Sequence, residues 1–454
     1  MKHKRPDALT VGILGLGYMG LTTGLAFAAR GHSVIGYDAK GEVREGLGQG
    51  ATPFHERNLA ELLRAQRRAK RFSIVDSPDA FVRSSEGIFL CLPTPRFAGG
   101  AIDLRPLKKG VTELGCRLRS IDEYRLVVVK STVVPGTTDF VVRPILRRLS
   151  GKSADLLGIA ANPEFLAEGT MVRDALHPDR IVVGTHDPRA REWLRRVYRP
   201  FRAPIHFLTP AGAELVKYSS NAFLALKISF ANEVSRLAEK LSLHIDDVMA
   251  AVGADPRIGK SFLEAGPGYG GSCFEKDVNA LVVRARELGV PFRSGEVALE
   301  INHDQMRHVM KLIRSAAGSL KTKTVAVLGL TFKAGTDDVR GSRAFPLISG
   351  LIRQGALVRV HDPKGMPNFR RAWELRPAHG SGTITFCESL EEALEAADLA
   401  VLQAAWPQYL RWRPAWTRRM KNPVLVDLRR GVAVQGAKGS PLRIVSLGVG
   451  THVR

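Results

Sequence analysis

The chain has 454 residues, 44% of them apolar and 24% charged, a balance that excludes a mainly disordered, collagen-like or multi-span membrane protein. At roughly 150 residues per domain it has room for two to four domains. Its 67 Lys and Arg outnumber 44 Asp and Glu, for a formal net charge of +23, so anionic partners are favoured: nucleic acid, an acidic membrane surface or phosphorylated small molecules.

Along the chain, the basic Lys2, Lys4 and Arg5 precede an uncharged run over 8–29, the outline of a signal peptide or a membrane span. Gly12, Gly15, Gly17, Gly20 and Gly24, with Thr10, Thr22 and Thr23, weaken a spanning helix and favour a buried strand–turn–helix. Strands are expected over 9–14 and 33–37 with a helix over 18–30 between them, then strands at 87–92, 126–130, 157–161 and 180–183. This alternation predicts a doubly wound parallel sheet. Thr209-Pro210 reads as a helix start. Only Gly212 interrupts the stretch 211–241, and between 222 and 231 only Lys227 and Ser229 are polar, so a helix apolar nearly all round is expected, buried in a core or a subunit contact. The last third restarts the strand–helix rhythm: strand 324–328, helix 345–354, strand 356–361, then strands 399–403 and 423–427. Residues 364–382 look like a long surface excursion. Three units follow, 1–205 (α/β), 206–315 (helical) and 316–454 (α/β). Four cysteines, Cys91, Cys116, Cys273 and Cys387, are too few and too scattered for a disulfide framework and lack zinc spacing. No metal site is expected, and a reducing, cytoplasmic compartment is.

Gly15-Leu16-Gly17-Tyr18-Met19-Gly20 is a G-x-G-x-x-G between a strand and a helix. Its glycines permit a tight turn, approach of a pyrophosphate and close helix–strand packing. Asp38, at the end of the second strand, is placed to accept from a ribose diol and to repel a 2′-phosphate, which favours NAD; Lys40 and Arg44 soften that preference. The alternatives are a packing turn and an ordinary turn aspartate.

Further along, Phe262 to Cys273 holds four glycines just before a cysteine, followed by Lys276 and Asp277. Backbone must approach something closely there, and a thiol beside a cation becomes a usable nucleophile; a structural cysteine after a flexible loop is the alternative. Lys217 and Asn221, four apart, share one helix face, where an ammonium and an amide can stabilise a developing alkoxide. A solvated helix face is the alternative.

On several longer blocks the sequence is similar to the nucleotide-sugar dehydrogenases of the UDP-glucose/GDP-mannose dehydrogenase family. The blocks are Gly15–Gly20, Leu92-Pro93-Thr94-Pro95, Ser131-Thr132-Val133-Val134-Pro135-Gly136-Thr137, Asn162-Pro163-Glu164-Phe165-Leu166-Ala167-Glu168-Gly169, Pro178-Asp179-Arg180-Ile181, Lys217-Tyr218-Ser219-Ser220-Asn221-Ala222-Phe223, Gly268-Tyr269-Gly270-Gly271-Ser272-Cys273-Phe274 and Phe332-Lys333-Ala334-Gly335-Thr336-Asp337-Asp338-Val339-Arg340. The resemblance implies an α/β fold: two doubly wound Rossmann-like domains, for NAD and for the UDP-sugar, joined by a central helical domain whose long buried helix serves dimerisation. It implies oxidation of a sugar primary alcohol to a carboxylate with two NAD, through a thiohemiacetal and a thioester on Cys273, for polysaccharide biosynthesis.

By resemblance, Lys217 and Asn221 hold the C6 oxygen, Asp277 and Thr132 serve a catalytic water, and Glu164 acts in thioester hydrolysis. Gly15, Gly17, Tyr18, Met19, Gly20, Asp38, Thr94, Thr132, Glu168, Lys276 and Arg340 fall near the cofactor. Glu164, Phe165, Leu166, Lys217, Asn221, Phe262, Tyr269, Gly270 and Lys333 fall around the nucleotide sugar, and Arg257 matches an arginine that reaches a neighbouring subunit's substrate. UDP-glucose, giving UDP-glucuronate, is the expected substrate, GDP-mannose or another nucleotide sugar the alternative, and a homodimer or higher homo-oligomer the expected assembly.

The sequence also departs from the family pattern. Glu275 replaces the proline usual after Cys-Phe, with an outward, solvated side chain expected. Arg340-Gly341-Ser342-Arg343 stands for Arg-Glu-Ser-Pro, Ala404-Ala405-Trp406 for Thr-Glu-Trp, and Asp427-Leu428-Arg429-Arg430 for Asp-Gly-Arg-Asn. Val43 lies near the place of a usual lysine. A single-hydride β-hydroxyacid dehydrogenase competes with this reading but needs no thiol. A nucleic-acid binder, prompted by the charge, competes less well: the clusters Arg64, Arg67, Arg68, Lys70 and Arg71, then Arg191 to Arg202, then Arg411 to Arg419 read as solvated helix faces without an RNA- or DNA-binding motif. No membrane span is expected.

Overall fold

A computed structural model describes residues 8–376, 384–434 and 441–450. The chain divides into two compact units, Met1–Ser220 and Asn221–Arg454.

The first unit is built on strands β1 (Thr10–Leu14), β2 (Ser33–Tyr37), β3 (Phe72–Ile74), β4 (Gly87–Leu90), β5 (Arg125–Val129), β6 (Leu157–Ala161), β7 (Ile181–Thr185) and β8 (Ile205–Leu208), in the order β3-β2-β1-β4-β5-β6-β7-β8. Every neighbouring pair is parallel except β6 with β7. The central strands are apolar on both sides because helices cover both faces. Leu126 and Val128 of β5 enter one core, Val127 and Val129 the other. The order reverses between β1 and β4, the crevice where doubly wound sheets bind ligands. Register pairs Leu14 with Tyr37 and with Leu90, so the glycine loop after β1, Asp38 after β2 and the segment after β4 share one edge. The glycine-rich run that resembles a membrane span is β1 followed by α1 (Tyr18–Ala29), buried from Gly20 to Ala28. Among the described residues no helix is long and apolar enough to cross a membrane.

Helix α2 (Pro210–Lys240) begins at the proline, as expected, and the division between the units falls within it. In the single chain its burial is uneven. Ala225, Ala231 and Ala238 are buried, but Phe223, Phe230 and Leu237, seven residues apart along one stripe, are 63%, 48% and 62% exposed.

The second unit contains α3 (Phe274–Glu287), α4 (Arg293–Ala317) and a second parallel sheet of β9 (Thr324–Leu328), β10 (Leu357–His361), β11 (Ile384–Phe386), β12 (Leu399–Leu402), β14 (Val424–Asp427) and β16 (Arg443–Ser446), ordered β11-β10-β9-β12-β14-β16. A separate parallel pair joins β13 (Arg411–Trp412) to β15 (Ala433–Val434). Val325 and Val327 face one core, Ala326 and Leu328 the other. Helix α5 (Ala344–Arg353) follows β9. The expected surface excursion at 364–382 is instead, over its first part, helix α6 (Met366–Glu374). Phe369, fully buried, stacks on Phe345 with ring centroids 4.3 Å apart, and Trp373 stacks on both; residues 377–382 lie outside the described residues.

Candidate active site

The glycine loop of the first unit is held by the carboxylate expected to meet a ribose. Leu16 N–H donates to Asp38 Oδ2 at 2.7 Å and Lys40 N–H to Oδ1 at 3.0 Å, while Gly15 N–H donates to Tyr37 O at 2.8 Å. A Cβ on Gly20 would run into the Gly15 carbonyl, whereas one on exposed Gly17 would meet nothing within 4 Å. The loop is thus closed on its strand side and open where a pyrophosphate approaches. No side chain caps α1, so its first amides remain available to an anion. Tyr18 stacks on Phe54 at 4.0 Å and Met19 is half-buried. This cradle fits a dinucleotide. Arg44, which weighed against NAD, is already engaged: its Nη1 donates to Asp38 O at 2.7 Å and its Nε to Asp76 at 2.8 Å.

Beyond β5 and β6 a second group gathers. Thr94 Oγ1 donates to Thr132 O at 2.9 Å. Glu164 accepts from Leu166 N–H with one oxygen and lies 3.1 Å from Lys217 Nζ with the other. Lys217 Nζ and Arg180 Cζ lie 5.5 Å and 4.1 Å from the Phe165 ring centroid. Glu168 is half-buried nearby in sequence. Burial alone would push the Glu164 carboxyl up, but Lys217, the Leu166 amide and Lys130 together hold it below the usual carboxylate range. Lys130, which the sequence did not single out, is buried and donates to Asn162 Oδ1 at 3.0 Å. Burial pushes its ammonium down to about 8, against the pull of Cys91 and Glu164. Glu214, three residues before Lys217, accepts from Gly136 N–H at 2.6 Å and from Thr138 N–H at 2.8 Å, tying the segment after Thr132 to α2.

In the second unit Asp277 is buried. Its Oδ2 accepts from Asn221 Nδ2 and its Oδ1 from Lys276 Nζ, both at 2.6 Å. Cys273 is the N-cap residue of α3 and its carbonyl accepts Asp277 N–H at 2.8 Å. Its sulfur lies 3.5 Å from Ser272 Oγ. It is half-buried, unlike the core residues Cys91 and Cys387, and a helix N-terminus favours negative charge on it. Lys217 and Asn221 are both buried, so neither lies on a solvated helix face.

Asn232, Gln305 and Asn302, which the sequence left unremarked, brace the glycine-rich loop together with Arg430. Gly266 N–H donates to Asn232 Oδ1 at 2.8 Å and its carbonyl accepts Gln305 Nε2 at 2.7 Å. Asn302 exchanges two bonds with the Tyr269 backbone, at 2.8 and 3.1 Å. Arg430 Nη2 donates to Ala265 O at 2.8 Å. Phe262 and Tyr269 both set an edge against Phe274, and Phe262 has φ 67°, strained for an aromatic residue. Gly270 packs against Gly341 O. Glu275 is half-buried rather than turned out to solvent. Arg257 stands out: its side chain is 87% exposed and forks onto Asp255 in its own turn. Arg340 forks onto Asp338 and is likewise exposed, and Lys333 Nζ lies 5.6 Å from the Phe332 ring centroid. Among the described residues no group of His, Cys, Asp and Glu is arranged to hold a metal ion.

Comparison with known proteins is consistent along the whole chain. The NAD-binding domain of the UDP-glucose/GDP-mannose dehydrogenase family matches residues 9–202, its central domain 211–304 and its UDP-binding domain 326–433. A UDP-glucose 6-dehydrogenase of Haloferax volcanii is 38% identical over 93% of this chain and 97% of its own. One of Rhizobium meliloti is 38% identical over 93% and 95%. Among solved structures, a UDP-glucose dehydrogenase from Pyrobaculum islandicum superposes with a TM-score of 0.89 at 36% identity, covering 99% of both chains. A UDP-D-ManNAc dehydrogenase from Pyrococcus horikoshii gives 0.83 at 25% identity, over 97% of this chain and 99% of that one.

Proposed function

Because the chain belongs to the UDP-glucose/GDP-mannose dehydrogenase family of NAD-dependent dehydrogenases, we propose that it oxidises the C6 hydroxymethyl of UDP-glucose to the carboxylate of UDP-glucuronate. One alcohol, two NAD and one water are consumed; one carboxylate, two NADH and three protons are formed. NAD, held by Gly15, Gly17, Tyr18, Met19, Gly20 and Asp38 with Thr94, Thr132, Glu168, Lys276 and Arg340 near it, supplies the hydride acceptor in both oxidations.

Lys217 and Asn221 bind the C6 oxygen, and the ammonium favours its alkoxide as the proton leaves. Loss of a hydride from C6 of that alkoxide leaves the aldehyde, and the Cys273 thiolate then adds to its carbon: a C–S bond forms and the carbonyl oxygen takes up a proton. Loss of that proton and of a second hydride from this thiohemiacetal leaves a thioester. A water held by Thr132 and Asp277 attacks the thioester carbon, Glu164 takes its proton, and the C–S bond breaks to return the thiolate. Lys217 keeps Glu164 ionised, so the carboxylate has a lone pair free to orient the water and take the proton, with a basicity below that of an unpaired carboxylate. Phe165, Leu166, Phe262, Tyr269, Gly270 and Lys333 hold the nucleotide sugar, and Arg257, exposed in its own chain, reaches the substrate of a neighbouring copy. In this reading 1–205 serve NAD, 206–315 catalysis and dimerisation, and 316–454 the UDP-sugar.

The observation that carries the reading is Asp277, a buried carboxylate one helical turn after Cys273 that takes Lys276 on one oxygen and Asn221 on the other. The test compares NADH release on UDP-glucose, GDP-mannose and UDP-N-acetylmannosamine, in wild type and in Cys273→Ser. UDP-glucose is expected to be turned over best, with two NADH per sugar. The variant is expected to bind NAD and sugar nucleotide but to form no acid. Preference for another sugar overturns the substrate, and wild-type acid formation by the variant overturns the mechanism.

A further inference from the structure

Arg343 is 9% exposed, and a guanidinium is costly to bury without partners. Its Nε donates to Pro267 O at 3.0 Å and its Nη2 to Asn302 O at 2.8 Å. One bond thus reaches the glycine-rich loop and the other reaches α4, whose Asn302 side chain also holds Tyr269. Burial lowers the pKa of the guanidinium, while the charge of Glu275 acts on it in the opposite sense. The segment that carries Arg343 is pressed against the same loop. A Cβ on Gly341 would lie 2.5 Å from Gly271 O and 3.1 Å from Gly271 N, and one on Gly268 would lie 3.0 Å from Arg343 Nε. At Gly268 and Gly271 the loop is therefore packed closely against Asn302, Arg343 and the Gly341 backbone.

We propose that Arg343 is a positioning residue for Cys273, tying the loop at Pro267 to α4 at Asn302 and setting its positive charge against Glu275, two residues beyond the thiol. The proposal deepens the reading of Cys273 as nucleophile and rests on it. Removing Arg343 has two separable consequences. The carbonyls of Pro267 and Asn302 lose their donor, so the loop loosens. The positive charge that acts on Glu275 is also lost, and a carboxylate near a thiol disfavours the thiolate. Only the second is relieved by neutralising Glu275. Ser272, whose Oγ lies 3.5 Å from the sulfur, and Lys276 and Asp277 of α3 stay the same in every variant.

The test is the rate of Cys273 alkylation by iodoacetamide near neutral pH, followed by mass spectrometry of its peptide in the full chain. Exposed Cys116 is the reference in the same digest. Arg343→Met is expected to slow Cys273 about tenfold, roughly the effect of one pKa unit, with Cys116 unchanged. Arg343→Met with Glu275→Gln is expected to recover at least half of that loss on a logarithmic scale, and Arg343→Lys to fall between wild type and Arg343→Met. A Cys273 rate in Arg343→Met within twofold of wild type, or a double variant no faster than the single one, overturns the proposal. If Arg343→Met does not fold, Glu275→Gln alone decides: about threefold faster alkylation supports the proposal, and an unchanged rate overturns it. No substrate enters these measurements, so failure of the catalytic reading shows separately, as a Cys273→Ser enzyme that still makes acid.

Discussion

Glu164 and Lys217 form a buried pair, with side chains 11% and 5% exposed. Breaking such a pair from one side leaves an uncompensated charge and costs about 3 kcal/mol. Lys217→Met is therefore expected to lower stability by that order in urea unfolding. Lys217→Met with Glu164→Gln should recover most of the loss; a double variant as unstable as the single one contradicts the pairing. Glu214 gives a pH signature of its own. Burial, opposed by its bonds to Thr138 and Gly136, pushes its carboxyl up to about 7, above the usual carboxylate value. A group raised in the folded state contributes stability that is complete below its unfolded pKa and is lost as pH rises through the folded one. The Glu214 contribution should therefore fall between about pH 4.5 and 7. Glu214→Gln should flatten that part of the stability–pH curve, and a curve of unchanged slope contradicts the assignment.

At the scale of elements, α6 offers the clearest test. Phe369 is the buried centre of a three-ring stack with Phe345 and Trp373. Phe369→Ala is expected to cost about 3–5 kcal/mol in denaturant unfolding; a loss below 1 kcal/mol would mean that α6 does not pack as described. This helix was illegible in the sequence because Met366-Pro367 and the following charges look like loop, while its anchor, Phe345, lies far away in the chain. The central strands were legible, since a strand covered on both faces is an apolar run. Strands β3, β8, β11 and β16 were not, being short, partly exposed edge-region strands. In the candidate site, the glycine loops and Cys273, Lys217, Asn221 and Asp277 stood out by residue type and spacing. The braces did not. Asn232, Asn302, Gln305 and Arg343 act across 33 to 76 residues, and no local pattern records such a bond. The departures at Gly341, Arg343 and Arg430 acquire a physical meaning only once their contacts with the loop are known.

At the scale of the whole molecule, the stripe of Phe223, Phe230 and Leu237 on α2 is apolar and exposed in the single chain. The expectation of a homo-oligomer makes a second copy its natural cover. Phe230→Asp is expected to shift the sedimentation coefficient toward that of a monomer, and a variant that sediments like wild type contradicts this. The proposed chemistry is tested most directly by quenching the Glu164→Gln variant during turnover of UDP-glucose with NAD and weighing its peptides. With hydrolysis slowed, the Cys273 peptide should carry the mass of a UDP-glucuronyl thioester. An unmodified Cys273 peptide in an enzyme that still releases two NADH per sugar would contradict the account.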